Sequence, residues 1–297
     1  MTATTFATPS AISVTLDLYV AEVRFAVSDR ADTIVEVSPT DPNKAADVKA
    51  AENTRVAYDE GTRALSVVSR KPRNRFMNFS SKRPESINLV IQLPTDSDVR
   101  GEADLGDFQA DGVLGTVELK TDLGSLRFAE TGPLSLRYGV GTINVDGVSG
   151  SAAVHTGSGD IRIGAVDGTA EISNSNGKVR LGVVTGSANV KASNGSVFVE
   201  RALSDLTAAS SNGEVQVGEV VRGRVEVTSK NGSVEVGVRE GSAAWLELNT
   251  VVGRVYNELS SADAPEAGDP VDKVEVHADT KLGDVTVRRT PRLEDQA

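Results

Sequence analysis

The sequence contains no cysteine. That removes disulfides, thiolate nucleophiles, Cys-ligated zinc and iron–sulfur clusters together. Histidine is scarce, with only His155 and His277, which leaves little from which to build an imidazole metal site or a His general base. Aromatic residues make up 4% of the chain and there is a single Trp, so the core must be built from small branched side chains. No apolar run approaches the ~18 residues that a membrane helix needs. The first residues, Met1-Thr2-Ala3-Thr4-Thr5-Phe6, have neither the basic segment nor the apolar stretch of a secretory signal. The expected address is the cytoplasm, with no transmembrane segment.

The formal charge is −11. Residues 1–100 hold 13 basic and 13 acidic side chains, so the whole excess falls in residues 101–297, which hold 18 basic and 29 acidic ones. An acidic surface repels a phosphate backbone, and nucleic acid is not an expected partner. The same charge also serves solubility.

What the chain has in abundance is glycine, at a fixed step of nine residues. The series runs Gly132, Gly141, Gly150, Gly159, Gly168, Gly177, Gly186, Gly195, Ser204 and Gly213, then after one inserted residue Gly223, Gly232 and Gly241. Upstream, Gly106, Gly115 and Gly124 keep the step. Alternate glycines differ, so the unit is 18 residues. One class follows Ser or Asn, at Gly159, Gly177, Gly195, Gly213 and Gly232, a pairing suited to turns that need a positive φ. Between turns the apolar residues alternate, as in Ile161/Ile163, Val179/Leu181 and Val197/Val199 on one strand and Ala152/Val154, Ala170/Ile172 and Ala188/Val190 on the other. Such alternation marks strands with one buried face. A third apolar position (Val148, Val166, Val184, Ala202, Val220) reads as a corner plug.

Because like positions recur at 18 residues, coils that stack like on like are favoured over an antiparallel meander. The predicted fold is all-β, a parallel β-solenoid of 18-residue two-strand coils with an N-terminal β cap. Roughly ten coils at about 4.8 Å each would extend ~50 Å. The expected organisation is a flexible N-terminus over residues 1–10, a β cap continuous with the solenoid over 11–100, the repeat domain over 101–290 and a disordered tail over 291–297. In the cap, strands are expected at Ser13–Val20, Glu22–Ser28, Thr33–Ser38, Thr54–Tyr58, Ala64–Ser69 and Ser86–Leu93, with a short helix at Asn43–Ala51. Near the other end the glycine step stretches, Trp245 interrupts the pattern and is expected to fill the core or seal the end, and Asn257–Asp272 reads as a polar excursion.

The chain holds one basic cluster: Arg70, Lys71, Arg73, Arg75, Lys82 and Arg83, with Phe76, Met77 and Phe79 between. Basic residues with interleaved aromatics suit phosphate, anionic lipid or nucleic acid. The plainer alternative is a mobile, solvated hairpin loop. The outward columns of the two strands read Asn144, Arg162, Arg180, Phe198, Gln216, Glu235 and Ala153, Glu171, Asn189, Thr207, Glu226, Ala244. Neither is acidic, basic or aromatic throughout, and Glu171 and Glu226 fall about 14 Å apart, too far for a glycosidase carboxylate pair. Calcium nonapeptides share the step but place Asp at each turn, and here Asp160 stands alone among Lys178, Ser196, Glu214 and Ser233. His155 and His277 read as surface or turn residues. The Asn residues before the turn glycines (176, 194, 212 and 231) are placed to form a ladder between coils. No catalytic residue, metal or cofactor is expected.

The segments Gly157-Ser158-Gly159-Asp160-Ile161-Arg162-Ile163-Gly164, Val220-Val221-Arg222-Gly223 and Arg239-Glu240-Gly241-Ser242-Ala243-Ala244-Trp245-Leu246, with the Ser/Asn-Gly series, resemble a bacterial β-strand-repeat family. That family is labelled "putative adhesin" and also called the toast-rack domain. Val35-Glu36-Val37-Ser38-Pro39 and Asp47-Val48-Lys49-Ala50-Ala51-Glu52 are similar to its actinobacterial members. The resemblance covers about residues 10–290. It implies a strand-repeat fold and surface exposure, and it carries no activity or ligand to named positions.

The function expected is that of a non-catalytic scaffold or binding protein, adhesin-like, acting on a protein or envelope partner or by self-assembly through end or edge stacking. The alternatives are a polysaccharide-active enzyme on a β-helix and a membrane- or stress-linked regulatory module docking through Arg70–Arg83.

Overall fold

The fold is that of a computed structural model, which describes residues 2–69, 84–259 and 272–291. The basic cluster Arg70, Lys71, Arg73, Arg75, Lys82 and Arg83, most of the polar excursion and nearly all of the C-terminal tail lie outside the described residues. The chain forms two compact units, Met1–Val145 and Asp146–Ala297.

In the first unit, β1 (Thr2–Ala7), β2 (Ser13–Ser28), β3 (Asp32–Pro39), helix α1 (Ala45–Asn53), β4 (Arg55–Asp59), β5 (Ala64–Val68) and β6 (Ile87–Pro94) precede the repeats. They are followed by β7 (Asp98–Leu114), β8 (Val117–Leu123), β9 (Leu126–Thr131) and β10 (Leu134–Val140). β11 (Ile143–Ser149) carries the chain into the second unit. The segments Ser13–Val20 and Glu22–Ser28, which alternation alone separates, are one strand. Its buried residues are Val14, Leu16 and Leu18, then Ala21, Val23 and Phe25. The phase slips by one residue at Tyr19–Val20, so both halves of the strand keep an apolar face inward. One edge of β2 pairs with β5 and then β6, and the other pairs along its length with β7, all in parallel. β7 divides in the same way between β8 and β9. Stacked positions alternate in size, as in Phe25↔Ala110↔Phe128, so most of the few Phe side chains in the core find room.

The described part of the expected flexible N-terminus, residues 2–10, is tied to the sheet. β1 lies antiparallel to β3, from Thr2↔Val37 to Ala7↔Asp32, and the Thr8 and Thr33 hydroxyls meet at 2.8 Å. An otherwise open sheet edge recruits this segment. Helix α1 is fastened by Asp47, which is 2% exposed. Its carboxylate accepts the Ser86 and Asp41 N–H groups at 3.1 and 3.3 Å and pairs with Lys44 at 2.7 Å. Burial pushes this carboxyl up, but Lys44 and the two N–H groups outweigh it and hold it below its ordinary range.

The second unit contains the regular coils. Its strands are β12 (Ala152–Ser158), β13 (Ile161–Asp167), β14 (Ala170–Asn176), β15 (Val179–Val184), β16 (Ala188–Asn194), β17 (Val197–Ala202) and β18 (Leu206–Asn212). They continue with β19 (Val215–Val220), β20 (Gly223–Asn231), β21 (Val234–Arg239), β22 (Ala243–Val252), β23 (Val255–Asn257), β24 (Lys273–Leu282) and β25 (Val285–Thr290). Neighbours pair in parallel at the 18-residue step, as in Ala152↔Ala170, Ala170↔Ala188 and Ala188↔Leu206, and Val179↔Val197, Val197↔Val215. This is the all-β parallel solenoid expected from the sequence. Its interior is built almost wholly of Val, Ile, Leu and Ala, with Val166, Val184, Ala202 and Val220 buried at the corner.

Three ladders tie the coils at their turns. Asn194 Nδ2 donates to Asn176 Oδ1 at 2.9 Å, Asn212 to Asn194 at 2.8 Å and Asn231 to Asn212 at 2.7 Å. Gly177, Gly195 and Gly213 donate their N–H groups to Asn194, Asn212 and Asn231 carbonyls at 2.8–2.9 Å. The third ladder was not legible as such: inward Asn174, Ser210, Ser229 and Thr280 donate to the carbonyls of Gly159, Gly195, Gly213 and Gly232 at 2.8–2.9 Å. Each satisfies a carbonyl at a tight turn, the condition for burying polar backbone. Asp160 accepts the Lys178 N–H at 2.8 Å, a coil-to-coil bond of the same kind.

The stacking order departs from chain order at one place. β24 pairs with β20 on one side and β22 on the other, and β25 lies between β21 and β23. The chain therefore passes over one coil position, lays down β22 and β23, and returns to fill the gap. β23 has only three residues, too few to support a further coil, so this coil stands at the end. The bypass is held by Ser242, whose hydroxyl donates to the Val221 carbonyl at 2.9 Å, and by Arg289 Nη1, which donates to the Arg239 and Ser242 carbonyls at 3.1 and 3.0 Å. Beside it, buried Glu219 accepts from Arg201 at 3.0 Å and from Arg239 at 2.9 and 3.1 Å.

Candidate recognition face at the end coil

The turn residues Gly159, Gly177, Gly195, Gly213 and Gly232 are architectural, as their ladder bonds show. At Gly195, φ is +149° and an added Cβ would lie 1.9 Å from the Gly177 carbonyl oxygen. Along one sheet the outward column reads Arg162, Arg180, Phe198, Gln216, Glu235, in the order expected, and continues to Thr286.

The other outward column is corrected by the inserted coil. After Thr207 and Glu226 come His277 and Glu247, not Ala244. The adjacent row is Arg224, Glu275 and Trp245. Residues far apart in the sequence thus share one patch on β20, β24 and β22.

Trp245 does not fill the core; it is 55% exposed. The register explains why. The repeat would place Ala243 and Trp245 inward, but Ala244, Leu246 and Leu248 pair with inward Val274, Val276 and Ala278. A slip of one residue after Gly241 reverses the faces of the whole strand. The signal was present in the alternation Ala244/Leu246/Leu248, read with the stretched step from Gly241 to Gly253.

His277 is also more than a surface residue. Its Nδ1 lies 2.9 Å from Glu247 Oε2 and its Nε2 lies 2.6 Å from Glu275 Oε1. The ring packs against the Trp245 indole, with centroids 5.2 Å apart and planes tilted by 56°. Arg224 approaches Glu275 at 3.6 Å. The His277 hydrogen bond, aided by the charges of Arg224 and His277, holds the Glu275 carboxyl below its ordinary range despite some desolvation. Gly223, Ala243, Ala244, Trp245, Lys273, Val274 and Glu275 border an open hollow of about 610 Å³. The result is an indole platform beside a polar network fixed by three neighbouring strands. Among the described residues, no three His, Asp or Glu side chains are grouped to hold a metal ion, and no helix is long and apolar enough to cross a membrane.

Among solved structures, the chain has distant similarities at low identity and low TM-score. A structure described as a "putative adhesin" from Bacteroides fragilis is 12% identical, covers 96% of both chains and has a TM-score of 0.34. One described in the same words from Parabacteroides merdae is 12% identical over 97% of this chain and 95% of its own, with a TM-score of 0.33. A "putative lipid binding protein" from Parabacteroides distasonis is 12% identical, covers 96% of both and scores 0.33. No curated protein matches the chain. The family profile of Toastrack DUF4097 matches residues 11–288, nearly the entire repeat architecture described above, and the chain belongs to that family.

Proposed function

We propose that the protein is a non-catalytic, adhesin-like binding protein whose recognition surface is the outer face of the end coil. The observation that carries this reading is the exposed Trp245 beside the Glu247–His277–Glu275 clamp. A large aromatic in a fixed polar surround is the composition of a binding hot spot. The Glu247 and Glu275 carboxylates are tied to His277, and Glu275 also to Arg224, which suits a rigid surface that selects a partner by shape and hydrogen bonding. An envelope component, protein or glycan, is the proposed partner.

A photo-crosslinking side chain at Asn249, outward on β22, tests the reading against the same group at Thr207, three strands away on the same sheet. A discrete adduct in source cells from Asn249 alone supports it. Identical adducts from both positions, or none, defeat it.

Self-association is a second reading, favoured by one observation. The end coil exposes Val251 (78%), Val252 (60%) and Val255 (45%), and the outer edge of β22 has no strand partner among the described residues. Such an edge is a template for another strand. Light scattering across a concentration series checks it: a constant monomer mass rejects end stacking.

A further inference from the structure

Building on the reading of this face as a recognition surface, we propose that Trp245 is the stacking platform for a neutral pyranose unit of a glycan, with the Glu247 and Glu275 carboxylates accepting hydrogen bonds from its hydroxyls. A pyranose has an apolar face of axial C–H bonds and a rim of hydroxyl groups. The patch matches both parts. The indole is the only one in the chain, it faces outward from β22, and its electron-rich π face attracts polarised C–H groups. The hollow beside it supplies the rim partners, with Glu275 and Lys273 lining it.

The polar groups are held before any ligand arrives. Glu247 uses Oε2 and Glu275 uses Oε1 on His277, which leaves the other oxygen of each to accept from a hydroxyl. Because His277 is clamped from two strands and packed on the indole, these side chains have little rotamer freedom to lose on binding.

The charge of the patch selects among ligands. On this face the three carboxylates Glu226, Glu247 and Glu275 outnumber the fixed cations Arg224 and Lys273, and His277 lies between two of those carboxylates. Phosphate-bearing polymers and anionic lipid headgroups are disfavoured. A neutral hydroxylated ring meets both acceptors and donors without burying a charge.

The sole Trp makes its own fluorescence the reporter. The full chain would first be screened on an array of neutral oligosaccharides. The best binder would then be titrated while Trp245 emission is followed, with choline chloride as a cationic control. The expected result is a saturable quench or blue shift with the oligosaccharide and none with choline. Trp245→Ala, which leaves the core untouched, should weaken array binding at least ~tenfold, the order of one lost aromatic contact. Trp245→Phe should restore part of it, and Glu247→Gln should weaken it less than Trp245→Ala does. An array without binders from protein of unchanged circular dichroism overturns the proposal. So does binding that survives Trp245→Ala, or a response to choline alone. If Asn249 captures a discrete adduct while the array is blank, the recognition face stands and the sugar assignment falls. If both are blank, both fall.

Discussion

Gly195→Ala is the sharpest test of the stacking geometry. The turn backbone at this position has φ +149°, and the new Cβ would sit 1.9 Å from the Gly177 oxygen and 2.6 Å from its carbonyl carbon. Both atoms belong to backbone already fixed by the Gly177 N–H bond to Asn194 O at 2.9 Å, so no side chain can swing aside. Non-glycine residues in such backbone regions cost about 1–3 kcal/mol, and overpacking adds about 1–3 kcal/mol. The sum is about 4 kcal/mol, a large part of the ~5–15 kcal/mol that holds a typical domain together. Gly241→Ala provides the control. There φ is +84° but nothing lies within 4 Å of the new Cβ, so only the backbone penalty of about 1–2 kcal/mol applies. Urea unfolding followed by circular dichroism reads the difference. With a slope of about 2–3 kcal/mol/M, Gly195→Ala should lower the midpoint by well over ~1 M and Gly241→Ala by less than half as much. Equal effects, or a Gly195→Ala change below about 0.5 kcal/mol, would refute the claim that carbonyl-to-turn contact sets this position.

Two further predictions concern polar ties. Asn194→Ala removes both the donor to Asn176 and the acceptor for Asn212; a loss of about 1–2 kcal/mol is expected for two exposed bonds, measured by the same unfolding curve, whereas Asn249→Ala at an exposed outward site should change little. Asp47 should make the first unit acid-sensitive. Its folded carboxyl titrates below the unfolded value, so the stabilisation is complete above the unfolded pKa of about 4 and is lost as pH falls through the folded value. Asp47→Asn should remove this part of the acid slope and lower stability at neutral pH by about 1–3 kcal/mol; an unchanged slope in pH-dependent unfolding would reject the assignment.

Much of the architecture was legible because stacking is a local rule repeated. A glycine at each ninth residue, a two-residue alternation and an 18-residue class period are properties of the chain alone, and they specify parallel coils with one inward face. The Asn ladder followed from the same arithmetic. Two features escaped it. The phase slips, at Tyr19–Val20 and after Gly241, each displace the pattern by a single residue, and a single residue decides which face a side chain occupies. That is why Trp245, expected to fill the core or seal the end, points outward on the end coil instead of inward. The other is the spatial order of coils. Periodicity states that coils are equivalent but not which is adjacent to which, so the column predicted to end in Ala244 ends in His277 and Glu247.

The sequence by itself determined the fold class, the register of the regular coils, the turn glycines and the small-residue core, because each follows from spacings shorter than two coils. Only the tertiary structure decided that β24 and β25 enter between β20–β21 and β22–β23, that residues 2–7 become a strand, and that Arg224, Trp245, Glu247, Glu275 and His277 share one face. These depend on pairing between distant segments, where several coils offer nearly the same apolar edge and the choice is made by strand length, corner hydrogen bonds and the bypass held by Arg289 and Ser242.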